Sequence, residues 1–180
     1  MPDVSPSDST ELILYACPVG SLAAQIEAYF TRSRSQFGAN RAHNYMPHCT
    51  LTGFFHDQRG AILSYTDAAQ QALAAHPTGP ITLDKLRLKP DWHGIELTSP
   101  WLEDVAATFA QQATSATRTD EIRLKHWLHL SLAYGFNQAH HEKLAELAEK
   151  MIDLSQPVTW QVRFYERHAQ NGWTCHWPTL

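Results

Sequence analysis

The 180-residue sequence has only three cysteines, Cys17, Cys49 and Cys175, and they lie far apart. This odd number, with no C-x-x-C pair, disfavours a disulfide scaffold and a structural zinc site and favours a reducing compartment. No apolar stretch approaches the length that a membrane-spanning helix needs. The polar, acidic start lacks the basic and apolar regions of a secretory signal peptide. We therefore expect a cytoplasmic protein with no membrane partner.

Positive charge is also scarce, because 14 lysines and arginines stand against 18 aspartates and glutamates, a formal net charge of −4. A long polyanion such as duplex DNA would be repelled overall, so no long nucleic acid is expected as a partner. A small anionic ligand stays compatible, since a pocket needs only local donors. The sequence has no H-E-x-x-H motif, no acidic ligand cluster and no phosphate-binding glycine loop. We expect neither a metal nor a cofactor.

Histidine, in contrast, is abundant, with 11 residues in the chain. It is the side chain that titrates near neutral pH, so this excess directs attention to acid–base chemistry. Apolar residues make up 43% of the sequence, enough to fill a core. The length predicts a single domain over residues 1–180, with residues 1–9 expected to be flexible.

Apolar periodicity and turn residues predict an α+β chain in which the order helix, strand, helix, hairpin occurs twice. The repeat is one of element order and not of sequence identity, so a generic α+β alternation is the alternative interpretation. Strands are predicted at 11–17, 48–55, 81–88, 94–98, 127–134, 158–168 and 173–177, and helices at 20–36, 58–76, 100–115 and 140–154.

The same pattern, His-x-(Ser/Thr)-apolar, occurs at the same point of each half, as His48-Cys49-Thr50-Leu51 and His129-Leu130-Ser131-Leu132. On a strand, residues i and i+2 share a face. Each strand therefore presents an imidazole beside a hydroxyl, while Cys49 and Leu130 point into a core. The alternative is a pair of ordinary histidines on half-exposed strands.

Two imidazoles with two hydroxyls suit the opening of a cyclic phosphodiester. One imidazole can activate water as a base, and the other can protonate the departing alkoxide as an acid. The hydroxyls can hold the non-bridging phosphate oxygens, where charge accumulates in the transition state. This chemistry requires no metal to activate the water.

With these two motifs the sequence resembles the 2H phosphoesterase superfamily. The resemblance implies a bilobal α+β fold with two antiparallel sheets and flanking helices, related by a pseudo-two-fold axis, and an active site in the cleft between them. Within the superfamily, residues 129–135 (HLSLAYG) are most similar to the cyclic nucleotide phosphodiesterase branch, which has a tyrosine where Tyr134 stands. That branch hydrolyses ADP-ribose 1″,2″-cyclic phosphate and nucleoside 2′,3′-cyclic phosphates.

The resemblance assigns His48 as the acid that protonates the leaving oxygen and His129 as the base that activates water. It assigns Thr50 and Ser131 to phosphate binding and Tyr134 to contact with the substrate. Strict strand alternation places Tyr134 on the face opposite His129. Tyr134 therefore either reaches the site through a bulge near its position or belongs to the core.

A small nucleotide with a cyclic phosphate is the expected partner, and a monomer the expected state. Nucleotide substrates call for an aromatic surface on which the base can stack, and Tyr45 is the preferred candidate because it directly precedes the first motif. Two further functions stay open: an RNA 2′,5′-ligase-like or 2′,5′-phosphodiesterase activity, and a non-catalytic nucleotide- or RNA-binding module. The other aromatic candidates are Phe54, Phe55, Trp92, Trp101 and Trp173.

Overall fold

A computed structural model describes residues 9–178. The predicted flexible start lies outside the described residues except for Ser9, which instead begins the first strand. The strands are β1 (Ser9–Val19), β2 (Cys49–Thr50), β3 (Phe55–Gln58), β4 (Thr82–Leu88), β5 (Trp92–Thr98), β6 (His129–Tyr134), β7 (Thr159–Arg167) and β8 (Trp173–Trp177), and the α-helices are α1 (Ser21–Phe37), α2 (Ile62–Ala75), α3 (Pro100–Gln112) and α4 (His141–Met151).

The strands form one antiparallel sheet in the order β4-β5-β6-β2-β1-β7-β8, with β3 also paired to β1. The fold is therefore α+β as predicted, but the expected division into two sheets is wrong. The reason is the pairing of Cys49 in β2 with Leu130 in β6, which joins the strands of the two motifs. A pseudo-two-fold relation between the two halves stays a prediction.

Strand β1 pairs with β2 and β3 on one side and with β7 on the other, and it is buried on both faces. Leu12, Leu14 and Ala16 belong to the main core beneath the helices, whereas Ile13 and Tyr15 belong to a smaller apolar cluster on the other face. Burial of both faces explains why this segment is a continuous apolar run and not an alternating one. It also places the Tyr15 ring on the helix-free side of the sheet.

The helices cover one face of the sheet as two pairs, α1 with α4 and α2 with α3. Helix α1 shows the expected spacing, because its buried residues include Leu22, Ile26 and Tyr29 on one side. Ser99 caps α3 by accepting a hydrogen bond from the Leu102 backbone at 3.2 Å. In the described part of the chain, no helix has the length and apolar character required to cross a membrane.

The first motif strand is shorter than predicted. A single strand was expected over residues 48–55, but the structure has β2, a break, and then β3. The break arises because the backbone nitrogens of both Leu51 and Thr52 approach the Leu14 carbonyl oxygen, which disturbs regular pairing with β1. The Thr52 hydroxyl accepts a hydrogen bond from the Leu14 nitrogen at 3.1 Å and so satisfies the interrupted ladder.

Candidate functional site

The pairing of Cys49 with Leu130 brings the two sequence motifs together. These two residues are the middle positions of the motifs, and both are completely buried in the core. Side chains of their neighbours in the strands point to the opposite face. His48, Thr50, His129 and Ser131 consequently line the same cleft, as the motif pattern predicted.

Both histidines are held in the same way. The Nδ1 atom of His48 lies 2.8 Å from the Met46 carbonyl oxygen, and that of His129 lies 3.0 Å from the Trp127 carbonyl oxygen. A carbonyl oxygen only accepts, so each Nδ1 carries a hydrogen and donates it. The neutral form of each ring therefore keeps its lone pair on Nε2. Proton transfer to a ligand in the cleft is assigned to that nitrogen.

The surroundings of both imidazoles favour the neutral form. Burial lowers the pKa of His48 to about 4, opposed by the hydrogen bond to Met46 and reinforced by His129. Burial also lowers the pKa of His129, and the neighbouring Lys125 adds to that effect. The Tyr15 ring packs on His48 with centroids 4.0 Å apart, and the Trp127 ring packs on His129 at the same distance. Aromatic rings thus exclude water from one side of each histidine.

The Ser131 hydroxyl is oriented by Trp92, whose indole nitrogen donates a hydrogen bond to it at 2.9 Å. Because the oxygen accepts from Trp92, its own hydrogen stays available for a phosphate oxygen. Gly94 makes this contact possible, since a Cβ at that position would overlap the Trp92 ring and the Leu130 carbonyl oxygen. Thr50 also lines the cleft, paired with Tyr15 across β1 and β2.

Tyr134 reaches the cleft through a bulge in β6. His93 pairs with Ala133 and Gly94 pairs with Ser131, so Leu132 is one extra residue on β6. The extra residue shifts the alternation, and Leu132 and Ala133 are both completely buried while Tyr134 lines the cleft. Tyr134 therefore lies at the cleft and not in the core, and its contact with a substrate stays a prediction. Burial raises the pKa of Tyr134 to about 12, so its phenol stays protonated and can donate.

The cleft residues that the sequence did not identify include Arg123, Lys125 and Trp127. Backbone hydrogen bonds from Gly53 to Arg123 and from Lys125 to Leu51 extend the pairing beyond β6. The signal that could have identified them is alternation, because positions 123, 125, 127, 129 and 131 share one face of an extended segment. The neighbouring His126 accordingly lies at a different surface depression.

The aromatic candidates divide into those at the cleft and those away from it. Tyr45, Phe54 and Trp92 line the cleft, and the Tyr45 ring lies 5.3 Å from that of His48. Phe55 is completely buried in the core and Trp101 packs against the core, and neither belongs to the lining of the cleft. Trp173 stacks on Phe54 at 6.2 Å and contacts the Tyr45 ring, but it does not belong to the lining of the cleft.

The cleft has a volume of about 390 Å³ and a cationic character. Its described lining includes Arg123 and Lys125 and contains no carboxylate, although the whole chain is acidic. Burial raises the pKa of the Cys49 thiol to about 12, which removes it as a nucleophile near neutral pH. Among residues 9–178, no group of three or more histidine, cysteine or acidic side chains is arranged to hold a metal ion.

No family model matches the chain. The ecdysteroid-phosphate phosphatase of Bombyx mori is 31% identical over 176 residues, which covers 92% of this chain and 26% of that protein. The ecdysteroid-phosphate phosphatase of Drosophila melanogaster is 28% identical over 197 residues, covering 87% of this chain and 26% of that protein. Human ubiquitin-associated and SH3 domain-containing protein B is 30% identical over 163 residues, covering 87% of this chain and 25% of that protein.

Almost all of this chain is therefore similar to a segment of much longer proteins, and it spans about a quarter of the length of the relatives it matches. Two of these three are named as phosphatases. Their names agree with a phosphoesterase relationship in general. The cyclic nucleotide phosphodiesterase branch stays a prediction.

Proposed function

We propose that this chain hydrolyses small cyclic phosphodiesters by a metal-independent mechanism with two histidines. Nucleoside 2′,3′-cyclic phosphates and ADP-ribose 1″,2″-cyclic phosphate are the substrates that the sequence resemblance indicates. The observation that carries the proposal is the matched geometry of His48 and His129. Each donates a hydrogen bond from Nδ1 to the carbonyl oxygen of the residue two positions earlier, and both line one cleft. The relatives named as phosphatases support phosphoester chemistry in general.

In the proposed reaction, Nε2 of His129 removes a proton from water as the oxygen attacks phosphorus. The bond between phosphorus and one ring oxygen breaks, and the proton on Nε2 of His48 passes to that oxygen. His48 is proposed to hold this proton in the complex, because the negative charge of the bound phosphate favours its imidazolium form and opposes the effect of burial. One water is consumed, and the product is a phosphomonoester with a free hydroxyl. The two histidines end with exchanged protonation states, which proton exchange with solvent restores.

Charge on the non-bridging oxygens increases during this attack. Thr50 and Ser131 are proposed to donate hydrogen bonds to those oxygens, and Tyr134 to donate a third. Arg123 and Lys125, which line the same cleft, supply the positive charge that balances the phosphate. Preorganised donors of this kind stabilise a transition state more than a ground state.

The test is the turnover of adenosine 2′,3′-cyclic phosphate, followed by ³¹P NMR, in His48→Ala and His129→Ala. Each variant is expected to lose about 10²- to 10⁴-fold in kcat, the usual contribution of a general acid or base. His126→Ala is the matched control, because His126 is an exposed histidine outside the cleft. EDTA should leave the wild-type rate unchanged. Full activity in either cleft variant with the fold intact would exclude the mechanism.

A second candidate is phosphomonoester hydrolysis, favoured by the names of the two insect relatives. The same assay separates the two functions if a steroid phosphate and a 2′,5′-linked dinucleotide are included as substrates. Release of inorganic phosphate would identify a phosphomonoesterase. Cleavage of the dinucleotide would identify a 2′,5′-phosphodiesterase, and tight binding without turnover across the panel would identify a binding module.

A further inference from the structure

Trp127 is an unusually exposed aromatic residue at the wall of the cleft. Its relative exposure is 49%, and among the described residues only Leu63 is a more exposed large apolar side chain. Tryptophan normally buries most of its surface, so a ring left open beside a polar cleft suggests a ligand contact.

The Trp127 ring is held in place by its neighbours. It lies 4.0 Å from the His129 ring and 5.1 Å from the Trp92 ring, measured between centroids. The Lys89 ammonium lies 5.6 Å from the same ring, within the range of a cation–π contact. A fixed aromatic surface loses little conformational entropy when a flat ligand stacks on it.

The His48 side of the cleft offers less open aromatic surface. Tyr15 is almost completely buried, and Tyr45 and Phe54 are both in ring contact with Trp173. The Arg167 guanidinium also lies over the rings of Tyr45, Phe54 and Trp173, at 5.7, 5.3 and 5.7 Å. The Tyr45 and Phe54 rings are therefore already in contact with Trp173 and with the Arg167 guanidinium. The more open ring is therefore on the His129 side.

We propose that Trp127 is the surface on which a nucleobase stacks, on the His129 side of the cleft. The inference rests on the proposed phosphodiester chemistry, and it names the substrate class as a nucleotide. A ligand that fits must carry an anion between the histidines, next to Arg123 and Lys125, and a flat ring system adjacent to that anion. The base would then stack on Trp127 and not on Tyr45, the candidate that the sequence favoured.

The experiment compares adenosine 2′,3′-cyclic phosphate with glycerol 1,2-cyclic phosphate, which has the same reacting ring and no base. Trp127→Leu is expected to raise KM for the adenosine compound roughly tenfold, as for other base–aromatic stacks. Because the Trp127 ring also packs on His129, any effect on that imidazole should change kcat and the pH profile in the same way for both compounds. The loss of base stacking should raise KM for the adenosine compound alone. Trp127→Phe should restore most of the affinity for adenosine. Leu63→Ala is the control for an exposed apolar side chain outside the cleft.

An equal change in KM for both compounds would overturn the inference, because it would show a structural role for Trp127. If neither compound is hydrolysed, calorimetric binding of adenosine 2′-monophosphate and of glycerol phosphate to the same variants decides. Weaker binding of the adenosine compound alone in Trp127→Leu would support the base subsite while the proposed hydrolysis fails. The inference would be overturned if Trp127 were required for binding a steroid phosphate and not for binding the nucleotide. It would also be overturned if neither adenosine 2′-monophosphate nor glycerol phosphate bound.

Discussion

At the scale of single residues, the environment of the two histidines determines a pH dependence. The reaction needs one protonated and one neutral imidazole, and burial lowers the pKa of both, to about 4 for His48. The bell-shaped profile of kcat/KM, which reports the unliganded protein, should therefore be centred below pH 6.5 and fall as the pH rises through neutrality. The two limbs belong to the coupled pair and not to one residue each.

A bound phosphate should shift that profile in the opposite direction. Its negative charge favours the imidazolium form, so the profile of kcat, which reports the complex, should lie at higher pH than that of kcat/KM. Steady-state kinetics from pH 4 to 9 on a cyclic phosphate would measure both. A kcat/KM profile centred above pH 7 would contradict the environment described for His48 and His129.

At the scale of elements, the close approach of β5 and β6 at Gly94 positions the Trp92 ring on Ser131. Gly94→Ala introduces a methyl group that overlaps the Trp92 ring and a backbone oxygen. We expect it to lower the free energy of unfolding by about 1–3 kcal/mol, the usual cost of overpacking. It should also lower kcat/KM, because the Ser131 hydroxyl loses its orientation.

Two variants separate these effects. Trp92→Phe removes the indole hydrogen bond and leaves Gly94 in place. It should therefore lower kcat/KM but reduce the free energy of unfolding less than Gly94→Ala does. Gly60→Ala is the control for a glycine, since nothing lies within 4 Å of a Cβ built there. Thermal unfolding and steady-state kinetics on the three variants give both readouts. An active and stable Gly94→Ala protein would show that the Trp92 contact is not required.

Local patterns were sufficient to predict the four helices, the hairpins β4-β5 and β7-β8, and the position of the four motif residues on one face. Alternation within one strand also placed Cys49 and Leu130 in the core correctly. The bulge at Leu132 was not predictable in position, because it depends on the register between β6 and β5, a contact between distant segments. The joining of both motif strands into one sheet is likewise a long-range pairing. The local hydrophobic pattern of a strand does not specify which distant strand it pairs with or in which register.

At the scale of the whole molecule, an acidic chain contains a cationic cleft. The formal net charge is −4, yet the described lining of the cleft includes Arg123 and Lys125 and no carboxylate. The overall charge therefore disfavours a long polyanion, whereas the positions of Arg123 and Lys125 favour a small phosphate. A phosphate anion should be attracted at short range and weakly repelled at long range.

This distribution of charge predicts how neutralising each cation changes the reaction. Arg123→Gln and Lys125→Gln should each lower kcat/KM by roughly 10- to 100-fold, since a hydrogen bond to a charged group contributes about 1.5–3 kcal/mol. Lys150→Gln, which removes a positive charge from α4 outside the cleft lining, is the matched control and should leave kcat/KM nearly unchanged. If Lys150→Gln had the same effect as the cleft variants, the overall charge and not the local site would govern binding. Steady-state kinetics at several salt concentrations would separate the two, because the short-range contribution of Arg123 and Lys125 persists when distant charges are screened.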